Sequence, residues 1–313
     1  MTGRPRFWLI ALTLLAVAVR VGWASAQIAQ GQHTVDNGDY VLYAVGAEHI
    51  ATHGDFSNSL FLVRPPLFPL IVALLGNDIW RVLLLNSVIG GLTALWVYGI
   101  ARRLGLSAPL ALVATAIFAL DPLSIHKGAV ILDPVPISAF FVSGMSYALL
   151  GLYAPQSVRE QVILGGLAGA ALGLAMLTRP ESYLIWTGLG VALLVTARHA
   201  WRGTLIYMAV AALVLAGWTI HNGRVFGHLT FSTVSGFTIA FYRAASVQRM
   251  ATDAPMDDIY LDITQRVEAR LGHDPQAATL DTRWGYHAAS PEVLSALYSV
   301  SLDTFRNILS NMC

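Results

Sequence analysis

Charge is what this chain has least of. Only 12% of its 313 residues are Asp, Glu, Lys or Arg, while 56% are hydrophobic. Soluble domains carry about 25% charged residues, and a water-soluble core of this size has no room for so much apolar surface. The composition therefore excludes an ordinary soluble domain and points to an integral membrane protein. Cysteine is almost absent as well. The single one, Cys313, rules out an intrachain disulfide and a thiolate metal set. Net charge is near zero, formally +1. The few cations are spread along the chain, without the basic cluster that nucleic acid requires. A glycine-rich nucleotide motif following a strand is also missing.

What is present is a series of long apolar runs. They predict an all-α polytopic membrane protein with about seven transmembrane helices. The runs lie near 7–24, 81–103, 107–120, 134–153, 162–178, 182–197 and 203–220. Arg4 and Arg6 precede the first run, which reads as an uncleaved helix whose far end is interrupted by Arg20. The other reading is a signal peptide cut after Ser25-Ala26-Gln27. LFPLIVALLG, residues 67–76, is too short to span and is expected at the interface or against the next helix. The hinge at 178–181 ends one span or forms a re-entrant break. Glycines in the second and fifth runs permit close helix packing. Residues 292–311 have leucines and aromatics at helical spacing and predict an amphipathic helix. The expected organisation is a transmembrane module over 1–240 and a mixed outer-side segment over 241–313.

Arginine placement orients the bundle. With the N-terminus inside, inner connections hold Arg4, Arg6, Arg102, Arg103, Arg159, Arg198 and Arg202. Outer connections hold Arg64, Lys127 and Arg179, with Arg81 at a helix end. The positive-inside rule favours this orientation. It predicts a multi-pass protein of the plasma membrane, its N-terminus cytoplasmic and its chemistry outside.

The outer connections carry the reactive groups. In Asp36-Asn37-Gly38-Asp39-Tyr40, Asp36 or Asn37 can cap a helix that starts near Gly38, with Asp39 in its first turn. Capping accounts for one of these residues and leaves a carboxylate and Tyr40 at a membrane surface. Asp133 before Pro134 reads equally as a helix cap or a functional acid. Asp121 before Pro122 reads as the close of the third helix. Arg64, Lys127, Arg179 and Arg224 can each snorkel toward lipid phosphate. Together they can hold a phosphate ester whose tail stays in the bilayer. Glu181 can pair with Arg179 or Lys127. His33, His49, His53 and His126 are scattered along the sequence and imply no metal by spacing.

These stretches resemble a known family. Asp36-Asn37-Gly38-Asp39-Tyr40, Arg64-Pro65-Pro66-Leu67-Phe68-Pro69, Thr178-Arg179-Pro180-Glu181 and Trp218-Thr219-Ile220-His221-Asn222 followed by Arg224-Val225-Phe226-Gly227 look like the signatures of GT-C glycosyltransferases. The resemblance covers roughly residues 1–240. It is strongest to bacterial and archaeal relatives of protein O-mannosyltransferases and lipid A aminoarabinose transferases. Two positions depart from the pattern: Asn37 stands where the family has a second acid, and His221 where arginine is common.

The resemblance implies a GT-C fold whose outer first loop contains juxtamembrane helices. It also implies inverting transfer of a sugar from a polyprenyl-phosphate donor to a hydroxyl on a protein, lipid or glycan. Asp36 falls on the acid thought to activate that hydroxyl, with Asp39 a substitute for the missing second acid and Asp133 near a further acidic position. Arg64, Lys127 and Arg179 would hold the donor phosphate, supported by Tyr40, Glu181, Asn222 and Arg224. The resemblance implies no nucleotide site and no certain cofactor, and it allows a divalent metal. Relatives run on into further spans, so a truncated, non-catalytic homologue is one alternative reading. A transporter or flippase of a lipid-linked substrate is another.

Overall fold

The computed structural model describes residues 4–31, 39–130, 133–154, 157–280, 282 and 290–312. Among them there are helices and turns but no strand. The chain divides into two compact units, residues 1–56 with 65–217 and residues 57–64 with 218–313.

The first unit is the main helical bundle. Its long apolar helices are α1 (Arg4–Ala29), α5 (Ile79–Arg103), α9 (Val158–Thr178) and α11 (Trp201–Phe226), the last running on across the unit boundary. Segments containing or closely matching these four are long and apolar enough to cross a membrane. Three further predicted spans form shorter helices, α6 (Ala108–Ala119), α8 (Val135–Gly151) and α10 (Ile185–Thr196). Their 12, 17 and 12 residues reach only ~18 to ~26 Å at 1.5 Å per residue, against a hydrocarbon core of about 30 Å. Helix α10 is preceded by a 3₁₀ turn at Pro180–Leu184. Arg179 in front of it is extended, with φ −140° and ψ 124°. Proline at the first position of that turn cannot continue the hydrogen-bond ladder of α9, so the hinge is a break between two helices.

Glycine sets the closest approach in the bundle. Gly165, Gly169 and Gly173 recur every four residues on one face of α9. A Cβ at Gly165 would overlap the carbonyl oxygen of Gly203 on α11. One at Gly169 would stand 2.7 Å from the Tyr207 carbonyl. The backbones therefore touch, which is how small residues drive association in a solvent that offers no hydrophobic gain. Gly91 on α5 serves α1 in the same way, since a Cβ there would stand 2.7 Å from the Val17 nitrogen.

Arg20 does more than interrupt an apolar run. It is 2% exposed. Its Nη1 donates to the carbonyls of Ala16 at 3.1 Å and Ala119 at 3.0 Å. Its Nη2 donates to the Phe118 carbonyl at 3.2 Å and the Ser124 hydroxyl at 3.0 Å. The last turn of a helix leaves carbonyls without intrahelical donors. Arg20 supplies donors to two carbonyls at the end of α6, which is how a buried cation is tolerated in a bundle.

The outer connection that holds Lys127, between the third and fourth apolar runs, contains helix α7 (Pro122–Val130). Asp121 follows the end of α6, and its N–H donates to the Phe118 carbonyl at 3.4 Å. Its carboxylate accepts from the Ser124 N–H at 2.8 Å and starts α7, with Pro122 at the first helical position. Helix α2 (Asp39–His53) packs against α4 (Leu67–Leu74). Tyr43 meets Phe68 edge-on with ring centres 5.1 Å apart, in a cluster with Ala47, Val72, Val82 and Ile137. The short apolar segment thus lies against other helices.

The second unit begins with α3 (Leu60–Val63). It is tied to the irregular stretch after α11. Ser232 Oγ donates to the Val63 carbonyl at 2.8 Å, and Thr233 N–H to the Leu62 carbonyl at 2.8 Å. Beyond lie α12 (Val234–Phe237), a π-helical stretch over Thr238–Ala244, α13 (Ala245–Thr252), α14 (Met256–Leu271) and α15 (Pro291–Met312). Phe237, Phe241, Ile259, Ile263, Leu297 and Val300 form their shared core. The amphipathic helix expected over 292–311 is α15.

Candidate functional site

Asp36 and Asn37 lie outside the described residues. Asp39 opens α2, and Tyr40 follows it half-buried. Lys127 sits on α7. The side chains of Asp39 and Lys127 lie outside the description.

Asp133, Arg179 and Glu181 come together. Arg179 Nη1 donates to Asp133 Oδ1 at 3.3 Å. Its Nη2 and Nε reach Glu181 Oε1 at 3.1 Å and Oε2 at 3.4 Å. Three of the five guanidinium N–H groups are thus engaged by carboxylates. Burial works to lower the Arg179 pKa, but the Glu181 hydrogen bonds and the Glu181, Asp133 and Tyr43 charges outweigh it and raise it. The cation is therefore permanent.

The two acids differ in setting. The Asp133 side chain is 14% exposed and Glu181 is 58% exposed. Asp133 Oδ1 also accepts from the Val135 N–H at 2.9 Å, so it caps the start of α8. Pro134 is the residue at the cap and Pro136 lies in the first turn, one position later than expected. Asp133 thus takes its expected place at the start of α8 and also pairs with a candidate phosphate-binding arginine, a contact the sequence did not offer. Glu181 pairs with Arg179, one of its two expected partners.

Sequence reasoning missed Asn86. It is 0% exposed on α5, and its Nδ2 donates to the Asp133 carbonyl at 3.0 Å. That bond fixes the backbone of the residue that holds Arg179. The available signal was an amide in the middle of an apolar run, a costly placement that usually marks a specific partner.

Four residues that the sequence singled out belong to the second unit. Arg64 ends α3, with φ −118° and ψ 119°, and is 5% exposed. Asn222 is buried and clamps the turn after α11, its Nδ2 donating to the Thr230 carbonyl at 2.8 Å and the Phe231 carbonyl at 3.2 Å. His221 stacks on Trp218 with ring centres 4.6 Å apart. Arg224 is exposed in the last turn of α11, where a cation complements the helix dipole.

The histidines are less scattered than their sequence positions suggest. His49 and His53 stack on one face of α2, 4.4 Å between ring centres. His49 Nε2 lies 2.8 Å from Asp55 Oδ1. Among the described residues no group of three His, Cys, Asp or Glu side chains is arranged to hold a metal ion.

Apolar helices of spanning length, with an arginine held between two carboxylates just beyond one of them, define a multi-pass, all-helical membrane protein with a charged site at a helix end. Residues 10–247 match the family described as dolichyl-phosphate-mannose-protein mannosyltransferase. The match covers more than half of the chain, and the chain belongs to this family of GT-C glycosyltransferases. No curated protein matches it.

Proposed function

We propose that the protein transfers a sugar from a polyprenyl-phosphate donor to a hydroxyl acceptor, with inversion, on the non-cytoplasmic side of the membrane. The observation that carries the reading is the Arg179 site between Asp133 and Glu181, in a chain of this family.

In this reading the acceptor oxygen attacks the anomeric carbon. Its proton passes to the Asp36 carboxylate. The bond from that carbon to the phosphate oxygen breaks, and polyprenyl phosphate leaves with the electron pair. Arg179 receives the charge that develops on the phosphate. Glu181 occupies the Nε–Nη2 edge of the guanidinium, the edge suited to two phosphate oxygens. Being the more exposed acid, it is the one that yields when the donor enters. Asp133 stays in place and is a positioning residue, holding Arg179 from the buried side. Lys127 supplies further positive charge, and Tyr40 shapes the donor site.

The test is incubation of membranes containing the protein with a panel of labelled polyprenyl-phosphate sugars. Native protein should move label from one donor to a hydroxyl-bearing acceptor. Arg179→Gln should lose about a hundredfold or more, in the range seen when one preorganised donor is removed from a developing anion. Full transfer by Arg179→Gln would refute the assignment.

A further inference from the structure

A groove in the bundle has no part in the chemistry proposed above. It lies between α1, α5 and α8 and has a volume of about 570 Å³. Leu9 lines it from α1, Leu95 and Trp96 from α5, and Phe140 and Tyr147 from α8. Trp96 is tilted against both rings, 5.7 Å from Phe140 and 5.4 Å from Tyr147. Leu95 is exposed. In a helix bundle of this composition an exposed apolar wall faces acyl chains rather than water.

One end of the groove is cationic. Arg102 and Arg103, the last residues of α5, both line it. Arg103 lies over the Tyr147 ring at 3.7 Å and donates to the Tyr147 carbonyl. That contact fixes its guanidinium at the mouth. Arg102 is exposed and donates to the Leu106 carbonyl at 2.8 Å. Arg6, exposed on α1, lies about one helical turn beyond Leu9 toward the N-terminus. The lining includes no Asp or Glu.

This end is remote from the Arg179 site. Asp133 stands just before α8, which begins at Val135, and Tyr147 lies about 18 Å along that helix at 1.5 Å per residue. The two groups of cations therefore belong to opposite ends of the bundle.

We propose that the groove is a seat for an anionic phospholipid. One acyl chain lies along Leu9, Leu95 and Trp96, and the phosphate sits against Arg102 and Arg103. Apolar wall and doubled guanidinium together match a lipid that has both a chain and net negative charge. A zwitterionic lipid brings its own cation to the mouth and loses the advantage. On the positive-inside reading this is the cytoplasmic leaflet, where anionic lipids attract basic side chains. The occupant is thus distinct from a donor whose phosphate is held at the Arg179 end.

Full-length protein, delipidated in detergent, is offered dioleoylphosphatidylglycerol and dioleoylphosphatidylcholine in equal amounts, and retained lipid is counted by native mass spectrometry. One phosphatidylglycerol should be retained about tenfold in preference to phosphatidylcholine. Arg102→Gln should reduce that preference about fivefold, since one arginine near a lipid phosphate contributes about that factor. Leu95→Trp should lower retention of both lipids by filling the groove. Glycerol phosphate, which has no chains, should not displace the bound lipid. An unchanged unfolding midpoint for Arg102→Gln confirms that the variant folds, and Arg6→Gln, which should also reduce the preference, replaces it if not. Equal retention of both lipids by the native protein would overturn the proposal. So would an unchanged preference in the folded arginine variant, or displacement by glycerol phosphate.

Discussion

Asp133 has two structural duties that two substitutions can separate. Its Oδ1 accepts from the Val135 N–H at 2.9 Å and from Arg179 Nη1 at 3.3 Å. Asp133→Ala removes both. The lost cap costs about 1 kcal/mol. The ion pair, with Arg179 31% exposed, contributes about 1 kcal/mol or less after solvent screening. Asp133→Asn keeps an oxygen acceptor for the Val135 N–H and removes the charge. The alanine variant should therefore lose about 2 kcal/mol and the asparagine variant about half that, measured by denaturant unfolding in mixed micelles. Activity should follow a different pattern. Alanine removes the acceptor that holds Arg179 and asparagine removes the charge that holds it, so both should transfer sugar at least about tenfold more slowly, as small misplacements of a positioning group do. Two results would refute the reasoning: native stability in Asp133→Ala, or a native transfer rate in Asp133→Asn.

Further outcomes follow from the packing and the caps. Gly165→Ala should destabilise the protein by about 1–3 kcal/mol, the usual cost of overpacking, because its Cβ overlaps backbone. Gly188→Ala, with nothing within 4 Å of its Cβ, should be neutral or slightly stabilising in the same unfolding assay. Asn222→Ala leaves the Thr230 and Phe231 carbonyls without their amide donor, and limited proteolysis should then open the 227–233 turn. The Ser124 N–H and hydroxyl hold the Asp121 carboxyl below its usual value of 3.8. A depressed acid stabilises above its unfolded pKa and loses that contribution as pH falls through the folded one. Native stability should therefore fall with acidification below about pH 4, and Asp121→Asn should flatten that limb of the pH profile.

The spans were legible because an apolar run of twenty residues has few other fates. α1, α5, α9 and α11 lie where the runs predicted them, and the glycine stripe of α9 announced its close neighbour. Helix α7 was not legible. Asp121-Pro122 stops one helix and starts the next, and the polar residues after it read as a turn. The π-helical stretch at 238–244 has no distinctive sequence pattern, although Phe237 and Phe241 pack there with ring centres 4.9 Å apart. At the site, the Arg179–Glu181 pair was visible because its members are two residues apart. The Asp133–Arg179 and Asn86–Asp133 contacts join different helices, so no local pattern could reveal them. Arg20 was legible as an anomaly in an apolar helix, but its role depends on where α6 ends.

The proposed reaction is sugar transfer with Asp36 as the base. It is tested most directly by comparing native protein and Asp36→Asn in one membrane preparation, with a labelled polyprenyl-phosphate sugar that the native protein uses. The native protein should give labelled acceptor and released polyprenyl phosphate in equal amounts. The variant should give at least about a hundredfold less of both. Equal transfer by the two proteins, or movement of intact donor across the membrane without release of polyprenyl phosphate, would contradict it.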